Sequence, residues 1–255
     1  MAYTTKKYGW IPDLPDQRDV IFSVQRDAMA VTPAMVDLRS QCPPVYDQGQ
    51  LGSCTANGIG GAIQFERLKQ QATPDFVPSR LFIYYNERVI EHTVQSDAGA
   101  QIRDGIKTVA KQGDCPETEW PYDVAKFAHK PSASCYSDAL KYKTINYQRL
   151  TQNLSQMRQC VAAGYPFVFG FTAYDSFESP DVAKTGIVPM PAASEEVVGG
   201  HCMLVVGYDD TQQAFITRNS WGADWGIDGY CMMPYAYLLD ANLASDFWTI
   251  RLESA

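Results

Sequence analysis

Cys54 lies in the segment QGQLGSCTANG, directly after Gly52 and Ser53 and directly before a helical pattern. A thiol at a helix N-terminus faces unpaired backbone N–H groups and the positive end of the macrodipole, and both favour thiolate over thiol. His201, in GGHCMLVVGYDD, follows 147 residues downstream, and Asn219, in ITRNSWGADWGIDGY, 165 residues downstream. Their chemistries are complementary: a thiol to attack, an imidazole to take and return a proton, a carboxamide to orient the imidazole. Gln48 adds a side-chain N–H for an oxyanion. The four residues fill the roles of acyl transfer through a thioester.

Each residue also has an ordinary reading. Cysteine is among the most buried residue types, but the Gly-Ser before Cys54 and the helix after it suit presentation. His201 follows Gly199 and Gly200 and opens an apolar strand, whereas His92 and His129 sit in a polar helix end and a Lys-rich loop. Asn219 ends a strand ahead of Trp221, which is placed to shield an Asn–His hydrogen bond from water. Seven cysteines make an odd number, with no C-x-x-C pair and only three histidines. A zinc site of ordinary spacing is not expected, nor any other metal or cofactor. Cys115 and Cys135 flank a polar, Pro-containing stretch and suit a bridge in an oxidising compartment. Without a signal peptide, reduced thiols are favoured.

The elements that must position these residues change character along the chain. Residues 1–35 carry Tyr8, Trp10, prolines and a DQRD cluster, and read as an extended arm rather than a packed element, serving as a structural arm, a short pro-segment or a latch across the site. Helical signals follow: the stretch after Cys54, a segment capped by Ser79, a stripe through Ile102, Ile106 and Val109 ended by Gly113, and one from Leu154 to Gly164. Residues 166–172, 201–209, 213–220 and 229–234 are short β-rich runs between turn residues. The pattern predicts α+β architecture, with a helical lobe over 36–146 holding the nucleophile and a β-rich lobe over 147–255 holding His and Asn. A cleft between two lobes is a natural place for a site.

Composition narrows the partners. The chain has 255 residues, 45% hydrophobic and 20% charged, with a formal net charge of −8. That is ordinary globular composition around a substantial core, and an acidic balance argues against nucleic acid. No apolar run approaches the roughly 20 residues needed to span a bilayer, so no membrane partner is expected. The N-terminal residues lack an apolar signal core. The expectation is a monomer, cytoplasmic or exported without a recognisable N-terminal signal.

QGQLGSC, GGHCMLVVGYD and NSWGADWGIDGY together resemble the blocks of the papain-like cysteine peptidases, over a stretch from about Val36 to Tyr235. The resemblance implies the papain-like two-lobe fold, with an antiparallel barrel-like right lobe, and a protein or peptide substrate. It implies Cys54 as nucleophile, His201 as base and then acid, and Asn219 as orienter. Gln48 and the Cys54 N–H would bind the oxyanion, and Trp221 would cover the Asn–His pair. SDAGAQIRDGIK falls where the family has a substrate-binding Gly-Gly strand, which puts Gly99 and Ala100 on the substrate backbone. Gly200 and Cys202, flanking the histidine, would contact substrate, with Cys202 lining the pocket for its second residue. Thr55 stands where the family usually has Trp, and Leu51 where it usually has a disulfide-bonded Cys. Both point to a divergent, bacterial-type branch. Two alternatives remain open on the same scaffold: an inert peptide-binding relative, and a thiol acyl-transferase or deamidase.

Overall fold

The computed structural model describes residues 7–23, 32–143 and 145–252. Its helices are α1 (Cys54–Lys69), α2 (Arg80–Ile90), α3 (Ile102–Gln112), α4 (Ala133–Ala139), α5 (Leu154–Ala162), α6 (Pro180–Thr185) and α7 (Tyr235–Leu239). Its strands are β1 (Met35–Asp37), β2 (Ile145–Arg149), β3 (Phe167–Tyr174), β4 (Val197–Asp209), β5 (Ala214–Arg218), β6 (Tyr230–Pro234) and β7 (Ala244–Leu252).

The expected helix ends are present for stated reasons. Ser79 caps α2 by accepting a hydrogen bond from the Phe82 N–H. Gly113 ends α3 at φ +78°, a region where a Cβ would be strained. α1 is not amphipathic, since every residue from Cys54 to Arg67 is buried. It is wedged between α2 and α3 on one side and β4 and β7 on the other. Gly58 makes that approach possible: a Cβ there would lie 3.1 Å from the Cys202 sulfur and 3.3 Å from Val168.

The strands form one antiparallel sheet in the order β2-β7-β3-β4-β5-β6, with β1 also paired to β4. Among the described residues the sheet does not close on itself, so the barrel-like expectation resolves to an open, strongly hydrogen-bonded sheet. The four β-rich runs coincide with β3 to β6, although β4 starts at Val197, ahead of the expected start. The division expected at 146/147 falls inside β2, and β1, far upstream, joins the same sheet. The core is aromatic: Phe167, Phe169, Phe171 and Phe247 are buried against one another on one face of the sheet, while Val168 and Cys202, on the other face, meet α1.

Residues 7–23 are extended, as expected, but packed rather than loose. Trp10 and Phe22 are 8% and 3% exposed. The segment is tied down by two parallel bridges, Trp10 to Ala100 and Ile21 to Arg149. Residues 1–6 and 24–31 of the expected arm lie outside the described residues.

Candidate active site

Cys54 is the first residue of α1. Ser53 before it makes no side-chain cap; its Oγ is instead held by the Tyr122 hydroxyl at 2.5 Å and Asn57 Nδ2 at 3.1 Å. The helix therefore turns its first N–H groups toward the sulfur, and the backbone N–H of Thr55 hydrogen-bonds to it, as does that of Cys202. The side chain of Thr55 turns away, donating to Glu87 Oε1 at 2.7 Å. Glu87 is fully buried, and that burial pushes its carboxyl well above the usual range.

The β4–β5 hairpin brings His201 and Asn219 together, since its register pairs Leu204 with Arg218 and sets Asn219 just beyond the strand end. His201 Nε2 lies 2.8 Å from Asn219 Oδ1. The Ser220 N–H donates to the same Oδ1 at 2.8 Å, which identifies that atom as the carbonyl oxygen and makes Nε2 the donor. Nδ1 then carries the lone pair, and it has no hydrogen-bond partner among the described residues. The Trp221 ring covers the pair, with centroids 4.8 Å apart and planes 31° off parallel to the imidazole.

Gln48 is fixed on both sides. Its backbone N–H donates to Ser220 O and its Oε1 accepts from Ser220 Oγ at 2.6 Å. Its Nε2 donates to Leu51 O at 2.8 Å and to the arm carbonyl of Lys7 at 2.9 Å. The residues expected to grip substrate backbone are likewise engaged by the arm. The N–H groups of Gly9 and Trp10 donate to Gly200 O, the Ala100 N–H to Gly9 O at 2.7 Å, and the Ile11 N–H to Ala100 O. Gly99 lies against Gly9, where a Cβ would come within 2.2 Å of the Gly9 carbonyl oxygen. Cys202 is buried, its sulfur against Gly58 of α1.

Two arm side chains, on either side of Gly9 in the chain, pack into the surroundings of Cys54 and His201. The Tyr8 ring meets His201 edge-on at 5.7 Å and Trp221 at 5.9 Å, and its hydroxyl donates to Glu178 Oε1 at 2.7 Å. The Trp10 indole fills a niche over Gly170, where even a Cβ would fall 1.9 Å from the ring.

Burial shifts both titrating groups of the site. Burial pushes the Cys54 thiol up to about 12, only partly opposed by N–H groups that include that of Gly9. Burial also pulls the His201 imidazole down to about 4, against the raising effect of Asn219. Both shifts favour thiol and neutral imidazole over the thiolate expected at a bare helix end, because the low-dielectric surroundings disfavour both charged forms.

Further along the arm, a network holds it down. Asp19 pairs with Arg103 at 2.6 Å and Arg149 at 2.9 Å. Asp13 accepts from the Arg103 N–H and from Trp248 Nε1. Its own N–H donates to Asp246, which also pairs with Arg149. The DQRD cluster in the sequence was a visible trace of this, but the partners are 84 to 235 residues away and carry no local signal. Ser220, Tyr122 and Glu87, which set Gln48, Ser53 and Thr55, were equally invisible.

No helix among the described residues is long and apolar enough to cross a membrane. The family model for the papain family cysteine proteases matches residues 32–246. An uncharacterized peptidase C1-like protein of Acanthamoeba polyphaga mimivirus is 42% identical, over 97% of this chain and 87% of that protein. The crystal structure of xylellain, a cysteine protease from Xylella fastidiosa, superposes with a TM-score of 0.91 at 44% identity, covering all of both chains. Procathepsin L of Felis catus is 26% identical over 79% of this chain, which spans 60% of its length. A chain matched by that family model over most of its length, and 42% identical to that peptidase C1-like protein, has one classification: the protein belongs to the papain family of cysteine proteases.

Proposed function

We propose that Cys54 is the nucleophile of a peptide-bond hydrolase and that residues 7–23 form its built-in latch. The observation that carries this reading is the path of Lys7–Ile11, which lies on Gln48, Gly200 and Ala100 at once. Once the arm is displaced, solvent and helix N–H groups would favour proton transfer from Cys54 to His201 Nδ1, while Asn219 holds Nε2. The thiolate adds to the substrate carbonyl, and Gln48 Nε2 with the Cys54 N–H binds the resulting oxyanion. His201 protonates the leaving amine, leaving a thioester, then takes a proton from water as it hydrolyses that ester. The arm itself offers the sulfur the N–H of Gly9 rather than a carbonyl carbon, which suits a blocker and not a substrate.

The test is cleavage of a peptide pool by wild type and Cys54→Ala, read by mass spectrometry, with epoxide labelling of Cys54. Chain cleavage with addition of water supports hydrolysis. A crosslink or a change of about one dalton without cleavage would instead indicate amide transfer or deamidation. Gln48→Ala is expected to lower kcat by about 10²-fold, the usual cost of one preorganised oxyanion donor, with little change in KM.

The latch carries a pH dependence. Burial first, and the facing Asp246 second, raise Asp13 from 3.8 to about 6. A carboxyl raised in the docked state binds its proton more tightly there, so docking is strongest below about pH 4. It weakens as pH rises from about 4 through 6, by roughly 3 kcal/mol. Exchanging a neutral thiol–imidazole pair for a thiolate–imidazolium pair moves no net proton and leaves that trend intact. Cys54 labelling, taken as the ratio of wild type to a Tyr8→Ala/Trp10→Ala variant, should therefore fall as pH drops from 7 to 5. A ratio that rises on acidification would refute this.

A further inference from the structure

Cys115 and Cys135 take no part in the site above, yet the fold brings them together. Cys115 follows the end of α3, and its carbonyl accepts from the Ser79 N–H at 2.9 Å. Cys135 is in the first turn of α4, its sulfur 3.1 Å from Ser132 Oγ. Both are buried in a small cluster with Phe82 and Ala139, walled by Trp120 and Tyr136. The two sulfurs and a carboxylate oxygen of Glu119 all lie within 4.8 Å of one another, and the two thiols interact directly.

We propose that Cys115 and Cys135 form a disulfide that staples the loop between them. The loop they close bears directly on the nucleophile. Within it, the Tyr122 hydroxyl donates to Gln48 O at 2.9 Å and contacts Ser53 Oγ. The Trp120 carbonyl accepts from Ser79 Oγ at 2.7 Å, and the Phe127 carbonyl accepts from Arg88. A staple at its base limits how far Tyr122 can move from the residues on either side of Cys54.

The three groups also have the makings of a metal site, and the surroundings decide between the two chemistries. Zinc needs thiolates. Burial and the neighbouring Asp114 carboxyl both push the Cys115 thiol up, whereas a disulfide places no charge in the apolar cluster. Glu119 is exposed and shares its carboxyl with Asp138, so the third donor already has a partner.

The bond forms by two exchanges with a small disulfide such as oxidised glutathione. One protein thiolate attacks a glutathione sulfur, giving a mixed disulfide and expelling one glutathione thiolate. The second protein thiolate then attacks the protein sulfur of that mixed disulfide, forming the Cys115–Cys135 bond and releasing the second glutathione. Two protein thiols are oxidised, one glutathione disulfide is reduced to two thiols, and each protein thiol gives up its proton to solvent.

The test uses full-length Cys54→Ala protein, which removes the nucleophile's own reactivity, held with oxidised glutathione at mildly alkaline pH. The expected product has lost about 2 Da, yields a linked 115–135 peptide on digestion, and melts roughly 5–10 °C higher than the reduced form. Cys115→Ser and Cys135→Ser should each abolish the link. The comparison of oxidised with reduced protein stands even if a variant folds poorly. A product that stops at the glutathione adduct, links a different cysteine pair, or melts no higher overturns the proposal. So does zinc, added alone, binding and protecting both thiols from oxidation.

Discussion

Cys54→Ala is expected to reduce peptide hydrolysis to background, a loss of at least about 10⁴-fold in kcat, by analogy with removal of a nucleophile from other acyl-transfer sites. His201→Ala should cost a comparable factor, and the double variant little more than either alone, since the two act as one unit. The fold should survive. Cys54 is fully buried at the head of α1 and its replacement removes one sulfur atom, so the melting temperature should move by only a few degrees. Cleavage of a peptide pool followed by mass spectrometry checks the activity, and a thermal scan checks the fold. Residual cleavage by both single variants, in properly folded protein, would place the chemistry elsewhere.

Loosening the arm should act in the opposite direction. Trp10 buries an indole over Gly170 and Tyr8 packs on His201 and Trp221. Truncating buried aromatics costs about 3–5 kcal/mol each in a core, and less at an interface that can relax. Tyr8→Ala/Trp10→Ala in the full-length chain should therefore raise both Cys54 labelling and peptide cleavage by about 10²-fold or more. Gly170→Val approaches the same contact from the other side, by filling the indole's niche. It should raise labelling even if the added side chain obstructs substrate. If neither variant exposes Cys54, the segment is a structural arm and the latch reading fails.

The two predictions concern different kinds of information. Local signals were sufficient for much of the scaffold: Ser79 as a cap, Gly113 as a stop, the apolar stripes of α3 and α5, and the β-rich runs that became β3 to β6. β1, β2 and β7 were not legible, because their pairing partners are distant in sequence and their patterns mix polar and apolar residues without clear alternation. The stretch after Cys54 carries a helical signal, but that α1 is buried on all sides follows only from its position between two layers.

The proposed catalytic set is a matter of residue type and order, so the sequence by itself determined the family, the place of Cys54 at a helix end and the His201–Asn219 pairing. Tertiary structure alone decided the state of that set. The arm's carbonyls and N–H groups carry no sequence identity, and their satisfaction by Gln48, Gly200 and Ala100 depends on a chain path that no local pattern encodes. Desolvation follows from that path. It turns a helix-end thiol expected to ionise readily into one held neutral beside a neutral imidazole, because ionisation energies respond to what surrounds a group in space and not to its neighbours along the chain.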